Sequence, residues 1–180
     1  MELSAAEVAR YLRMGREVPA GALGARVAEL SAAALKTIAP RRVWQRIDLP
    51  FHPESRKLSA HLAGCSAAYL VCGTLGTAFD AFLRRVSVSS GADALIVQAV
   101  GAAAIEKCMD RLEDEIRAEL APGETLVSRY SPGYGDFPLA AQRDVLARLD
   151  ATRQIGVALT DTLLMVPSKS VSAVIGVRPA

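Results

Sequence analysis

"IGVALTDTLLMVPSKSVSAVIGV", residues 155–177, decides how this chain is read. It passes through three short apolar runs: "QIGVALT" (154–160), "LLMVP" (163–167) and "SVSAVIGV" (170–177). Polar residues and a proline separate them, so each reads as a strand. "SKS" joins the last two as a hairpin. Nothing earlier in the chain packs strands so densely. Helices dominate the first two thirds and strands cluster near the end, which predicts an α+β fold rather than a doubly wound one. The expected architecture is a single domain over residues 1–180. Helices pack on a mainly antiparallel, twisted sheet formed largely by the C-terminal third, and residues 1–40 make a helical N-terminal segment.

Working upstream, "PLAAQRDVLARLD" reads as a helix with Pro138 in its first turn, where a missing N–H is harmless. "TLVSRY" reads as a strand. The longest element is "GADALIVQAVGAAAIEKCMDRLEDEIRAEL", whose Leu95, Ala99, Ala102, Met109, Leu112, Ile116 and Leu120 keep an apolar stripe until "APGE". Small residues at 99 and 101–104 let another backbone approach, so this helix is expected to be central. "AAYLVCGTLG" is an unbroken apolar run and reads as a strand buried on both faces, with Gly73 and Gly76 breaking it. "TAFDAFLRRV" resumes helical spacing, a short helical piece surrounds Leu58 and Leu62, and Val43, Ile47 and Leu49 fit a strand edged by Pro50. Near the start, Leu23, Val27, Leu30, Ala34 and Ile38 mark a helix stopped by Pro40. Ser4 and Glu7 stand in the S-x-x-E spacing of a capping box, with Gly15 as the stop.

Composition narrows the classes of function. Twenty-one basic residues face 19 acidic ones, a net charge of +2, which gives no concentrated basic face for a polyanion. Cys65, Cys72 and Cys108 are odd in number and apolar in context, so they read as buried thiols in a reducing setting. The N-terminus lacks the apolar core of a signal peptide and no apolar run approaches a membrane span, so the chain is expected to be cytoplasmic. His52 and His61, nine apart without cysteine or carboxylate at ligand spacing, predict no metal site. "CGTLGTAF" has a glycine turn after a strand, but its G-x-x-G spacing fits a tight connection better than a phosphate cradle.

"RYSPGYGDFP", residues 129–138, asks for a different explanation. Pro132-Gly133 predicts a type II turn, with proline setting φ at the second position and glycine accepting positive φ at the third. The turn holds Arg129, Tyr130 and Tyr134 rigidly around it. Arginine offers a planar fork for a carboxylate, tyrosine a flat face and a hydroxyl, and glycine a bare backbone. Those groups suit a small molecule carrying a carboxylate, an amine and an aromatic base. They also suit a turn packed by its own tyrosines, with Arg129 salt-bridged to a nearby acid, which spacing alone favours slightly. Both readings stand on spacing alone.

Taken with the downstream stretch, these residues resemble a known family. "RYSPGYGDFPLAAQRDVLARLD" carries an R-x-x-P-G-Y-x-x-x-P pattern before a helix. Leu159, Thr160, Asp161, Thr162, Met165, Pro167, Ser170, Val171 and Ser172 then follow an L-T-[DE]-[ST]-x-x-M-x-P-x-x-S-V-S pattern. Both resemble the activation (reactivation) domain of cobalamin-dependent methionine synthase, over roughly residues 65–177. The resemblance implies binding of S-adenosylmethionine for reductive remethylation of a corrinoid, with cobalamin carried by a partner methyltransferase or methionine synthase. A flavodoxin-type protein would supply the electron. It assigns Arg129 to the ligand carboxylate, and Ser131, Gly133 and Tyr134 to backbone contacts and a ring wall. No D-x-H-x-x-G cobalamin signature is present, and the sequence stops at Ala180, where the family continues into a segment bearing a further ligand tyrosine. The expectation is therefore a free-standing relative with a reduced ligand cage. Its alternative is a docking module for a corrinoid protein whose S-adenosylmethionine site has degenerated. Asp48 and Asp114 are the acids expected to merit a look as ligand contacts.

Overall fold

The computed structural model of the chain describes residues 2–14, 20–52 and 54–179. Helices α1 (Ala5–Tyr11) and α2 (Gly21–Leu35) lead into β1 (Arg41–Asp48), α3 (Arg56–His61) and β2 (Ala67–Thr74). Then come α4 (Thr77–Ser89), the 29-residue α5 (Gly91–Glu119), β3 (Thr125–Leu126), a 3-10 turn (Leu139–Ala141) and α6 (Gln142–Arg148). The chain ends with α7 (Ala151–Ile155), β4 (Ala158–Leu159), β5 (Met165–Val166) and β6 (Ser170–Arg178). The α+β expectation holds. A four-stranded sheet runs β1-β2-β6-β3 with every pair antiparallel, and β4 and β5 form a second, two-stranded sheet.

β2 lies between β1 and β6 and is buried at all eight positions, as its unbroken apolar run requires. Strand alternation divides its side chains between two cores. Ala68, Leu70 and Cys72 face a layer built from α3, α6 and α7, together with Leu58, Phe137, Val145 and Ile155. Ala67, Tyr69 and Val71 face the C-terminal half of α5, against Met109, Leu112 and Ile116. The sheet is thus covered on both faces. Leu70 and Val71, fully buried, each contribute about 1.5–3 kcal/mol relative to an exposed position.

α5 outruns the sheet, and its N-terminal half packs with α1, α2 and α4 around Val27, Leu30, Phe79, Val97 and Val100. Glycine makes the closest approach possible. A Cβ on Gly101 would stand 2.5 Å from the Phe79 ring and 2.9 Å from Lys169 Cε. Helix starts follow the expected chemistry: Ser4 Oγ accepts from Glu7 N at 3.2 Å while Glu7 returns the bond, and Ser90 Oγ accepts from Asp93 N at 3.2 Å.

Some local expectations give way. The hairpin near the end joins β4 to β5, closed by Thr160 and Leu164, and does not join β5 to β6 across "SKS". Instead β6 pairs with β2 and β3, because only the sheet interior can satisfy and bury a run that apolar. "QIGVALT" begins as the end of α7, with left-handed Gly156 as its C-cap, and only Ala158–Leu159 is strand. "TLVSRY" yields two strand residues and an isolated bridge between Tyr130 and Val174. Pro138 precedes the 3-10 turn as its N-cap. Gly15 lies outside the described residues; α1 ends earlier, capped at Leu12.

Candidate functional site

The stretch 129–138 folds as two consecutive tight turns. Tyr134 N donates to Ser131 O at 3.2 Å around Pro132 and Gly133, and Gly133 takes φ +93°, so the expected type II geometry is present. Phe137 N donates to Tyr134 O at 3.0 Å around Gly135, at φ +59°, and Gly133 N donates to Phe137 O at 2.9 Å. Three anchors fix this double turn. Phe137 is fully buried in the core beneath it. Asp136 accepts from Ser55 Oγ at 2.6 Å and from Arg56 and Lys57 N–H, both at 3.1 Å, clasping the start of α3. The Ser55 hydroxyl and then those backbone donors hold the Asp136 carboxyl below its ordinary range. Finally, Tyr130 exchanges two 2.9 Å backbone bonds with Val174, tying the turn to β6.

Consecutive side chains on that bridge point to opposite sides. Arg129 goes to α5. Its Nη2 meets Glu106 at 2.9 Å and Asp110 at 3.2 Å, and its Nη1 meets Glu113 at 3.0 Å. Tyr130 goes the other way, onto His61 at 4.9 Å between ring centroids, Tyr134 at 6.4 Å and Phe137 at 6.3 Å. His61 Nε2 lies 2.7 Å from Ser128 O, which orients that ring. Tyr134 is 67% exposed and lies at the open end of this aromatic tier. A Cβ added to Gly133 would meet only the end of Leu139, at 3.3 Å, so bare backbone faces outward there.

The four residues singled out by sequence therefore share one rigid stretch of backbone but divide between two faces. Ser131, Gly133 and Tyr134 make the turn and its exposed ring. Arg129 is salt-bridged to acids, as the plainer of the two sequence readings had it. The acids are Glu106, Asp110 and Glu113; Asp114 pairs instead with Arg117, and Asp48 ends β1. The signal for the trio was in "EKCMDRLE" (106–113), where spacings of four and three put carboxylates on one helix face. Arg117 also holds Glu113, at 2.7 Å, so Arg129 and Arg117 stand against Glu106, Asp110, Glu113 and Asp114, which leaves a locally negative patch. Glu113 is nearly covered, while Glu106 and especially Asp110 remain open to solvent.

The other candidates have structural roles. The G-x-x-G loop caps α4 with Gly76 at φ +87°, and Leu75 N donates to Lys169 O, so this is a tight connection. Asp80 in the first turn of α4 accepts from Ser168 N and Oγ, both at 2.7 Å. Cys72 and Cys108 are fully buried and free, and burial pushes the Cys72 thiol up to about 12. Among the described residues, no helix is long and apolar enough to cross a membrane.

An α+β domain with a charged, turn-borne surface is the class that fold and site define together. Residues 93–180 match the model of the vitamin B12-dependent methionine synthase activation domain. Among solved structures, the chain is similar to one described as "Crystal Structure of the MetH Reactivation Domain bound to AdoHcy". That match has a TM-score of 0.56 and 18% identity over 89% of this chain and 68% of the other, a likeness of fold. No curated protein matches the chain.

Proposed function

We propose that this chain is a single-domain protein that binds S-adenosylmethionine at the Arg129 turn and presents it for reductive remethylation of a corrinoid on a partner methyltransferase. The observation that carries this reading is the placement of Arg129. It stands at the foot of a rigid proline–glycine turn, ringed by three carboxylates, inside the segment that matches the activation-domain family.

The charge pattern fits the ligand. A methionine moiety brings a carboxylate, an ammonium and a sulfonium. Arg129 takes the carboxylate in its fork, and the acids it releases take the ammonium. Asp110 is the one that yields, being the most exposed of the three and in contact at 3.2 Å. The net negative patch favours the cationic sulfonium. Tyr134 offers its ring to the adenine, and Gly133 lets the ligand lie on backbone. S-adenosylmethionine supplies the transferable methyl group; the chain supplies position and charge, without a general base. A flavodoxin-type donor provides the electron to the partner.

One observation favours a second reading, a docking module without a productive ligand site: the guanidinium finds three partners within the protein itself. Calorimetric titration separates the two. Under the first reading S-adenosylmethionine binds saturably, more tightly than S-adenosylhomocysteine, which lacks the sulfonium charge, and Arg129→Met weakens it about tenfold or more. Absence of heat with S-adenosylmethionine, alongside tight association with a corrinoid protein, supports the second.

A further inference from the structure

Away from Arg129, a cleft of about 380 Å³ lies between the C-terminus of α1 and the N-terminal half of α5. We propose that it binds a small organic anion, a phosphate or carboxylate on an apolar body, held by Arg13 and Lys169. Tyr11 and Leu95 give it apolar walls, Gln98 contributes an amide, and its described lining residues include no carboxylate.

Two cations reach this cleft by routes that a purely structural role leaves unexplained. Lys169 precedes β6, and its stem crosses the bare backbone of α5 at Gly101, with Cε 2.9 Å from where a Cβ would stand. Its carbonyl accepts from Leu75 N, but its ammonium has no hydrogen bond or ion pair among the described residues. Burial lowers the pKa of its ammonium, and Asp80 opposes that shift. Both Asp80 oxygens are occupied by Ser168, however. A half-buried ammonium without an acceptor is unfavourable until an anion arrives.

Arg13 stands where glycine is customary. Arg13 N donates to Arg10 O at 3.2 Å and Met14 N to Ala9 O at 3.1 Å, which closes α1 with a Schellman motif. Its left-handed position is Arg13 itself, at φ +60°. An L-residue with a Cβ is strained there, and glycine would not be. The strain is stored beside a cleft, the setting in which such outliers accompany function. The same motif engages the carbonyls of Val8, Ala9 and Arg10 in hydrogen bonds.

The test uses the full chain, with phenyl phosphate and benzoate as probes and inorganic phosphate as the head group alone. Calorimetry should show saturable binding of at least one aromatic probe, tighter than that of inorganic phosphate. Whichever aromatic probe binds more tightly identifies the head group. Lys169→Met should weaken it about tenfold by removing a charge-assisted contact. Arg13→Gly should weaken it as well while raising the thermal midpoint, so loss of binding cannot be mistaken for loss of fold. No saturable binding of either aromatic probe, or affinity that survives both substitutions, overturns the proposal.

Discussion

Two glycines two residues apart show how differently one residue type can be constrained. Gly133, at φ +93°, has open space beyond it apart from the end of Leu139. Gly135, at φ +59°, would bring a Cβ within 2.5 Å of Lys57 Cδ and 2.7 Å of Tyr130 Oη. Gly135→Ala is therefore expected to destabilise by about 2 kcal/mol, with strain and crowding combined, and Gly133→Ala by about 1 kcal/mol. Urea unfolding of the two variants checks the order. Charge at a single residue gives a second expectation. Arg46 donates to Glu124 at 2.5 Å and 3.0 Å, and Ala121 N adds a third bond. The Arg46 fork first, then that backbone donor, hold the Glu124 carboxyl at about 2, below its ordinary 4.5. Because the folded value is the lower one, this contribution is fully present above about pH 4.5 and is lost as pH falls toward 2. Glu124→Gln should shrink the stability difference measured between about pH 6 and pH 3; an unchanged acid limb would refute the assignment.

At the scale of elements, periodicity and capping were legible and partner choice was not. β2 and α5 could be read from residues close in sequence, since burial on both faces and an apolar helical stripe each leave a repeating pattern. The capping box at α1 was equally plain, and both of its reciprocal bonds form. Ser4→Ala should cost about 1 kcal/mol, seen as a lower midpoint in thermal denaturation, because α1 buries Val8 and Ala9 against the rest of the fold. The hairpin was misread since β4, β5 and β6 all carry β-branched or apolar residues, and local sequence does not say which pair with which. β6 is apolar on both faces, so the interior sheet takes it; β5, half exposed, stays with β4 at the margin.

For the molecule as a whole, the sheet order sets what can stand alone. The family-matching segment, residues 93–180, contains β6 but neither β1 nor β2, which supply its neighbour and the sheet's other edge. An isolated fragment of those residues would bare a nine-residue apolar edge and half of two cores. It is expected to aggregate or to give a collapsed amide spectrum by NMR, while the full chain gives a dispersed one. A well-dispersed spectrum from the fragment would show that residues 2–92 are not needed for the sheet.

What the sequence by itself determined is whatever a few neighbouring residues encode: the capped first helix, the long central helix, the doubly buried strand, the proline–glycine turn and the α+β class. Only the tertiary structure decided which surfaces those pieces share. Arg129 finds Glu106, Asp110 and Glu113 because the bridge to Val174 turns its side chain toward α5, while the next residue faces the aromatic tier. Lys169 and a left-handed Arg13, more than 150 residues apart, line one cleft, and bare backbone at Gly101 leaves room for the lysine stem to cross the helix. Local propensity is written within a turn or two of chain. Contact between distant side chains follows from packing, which the sequence encodes only as a whole.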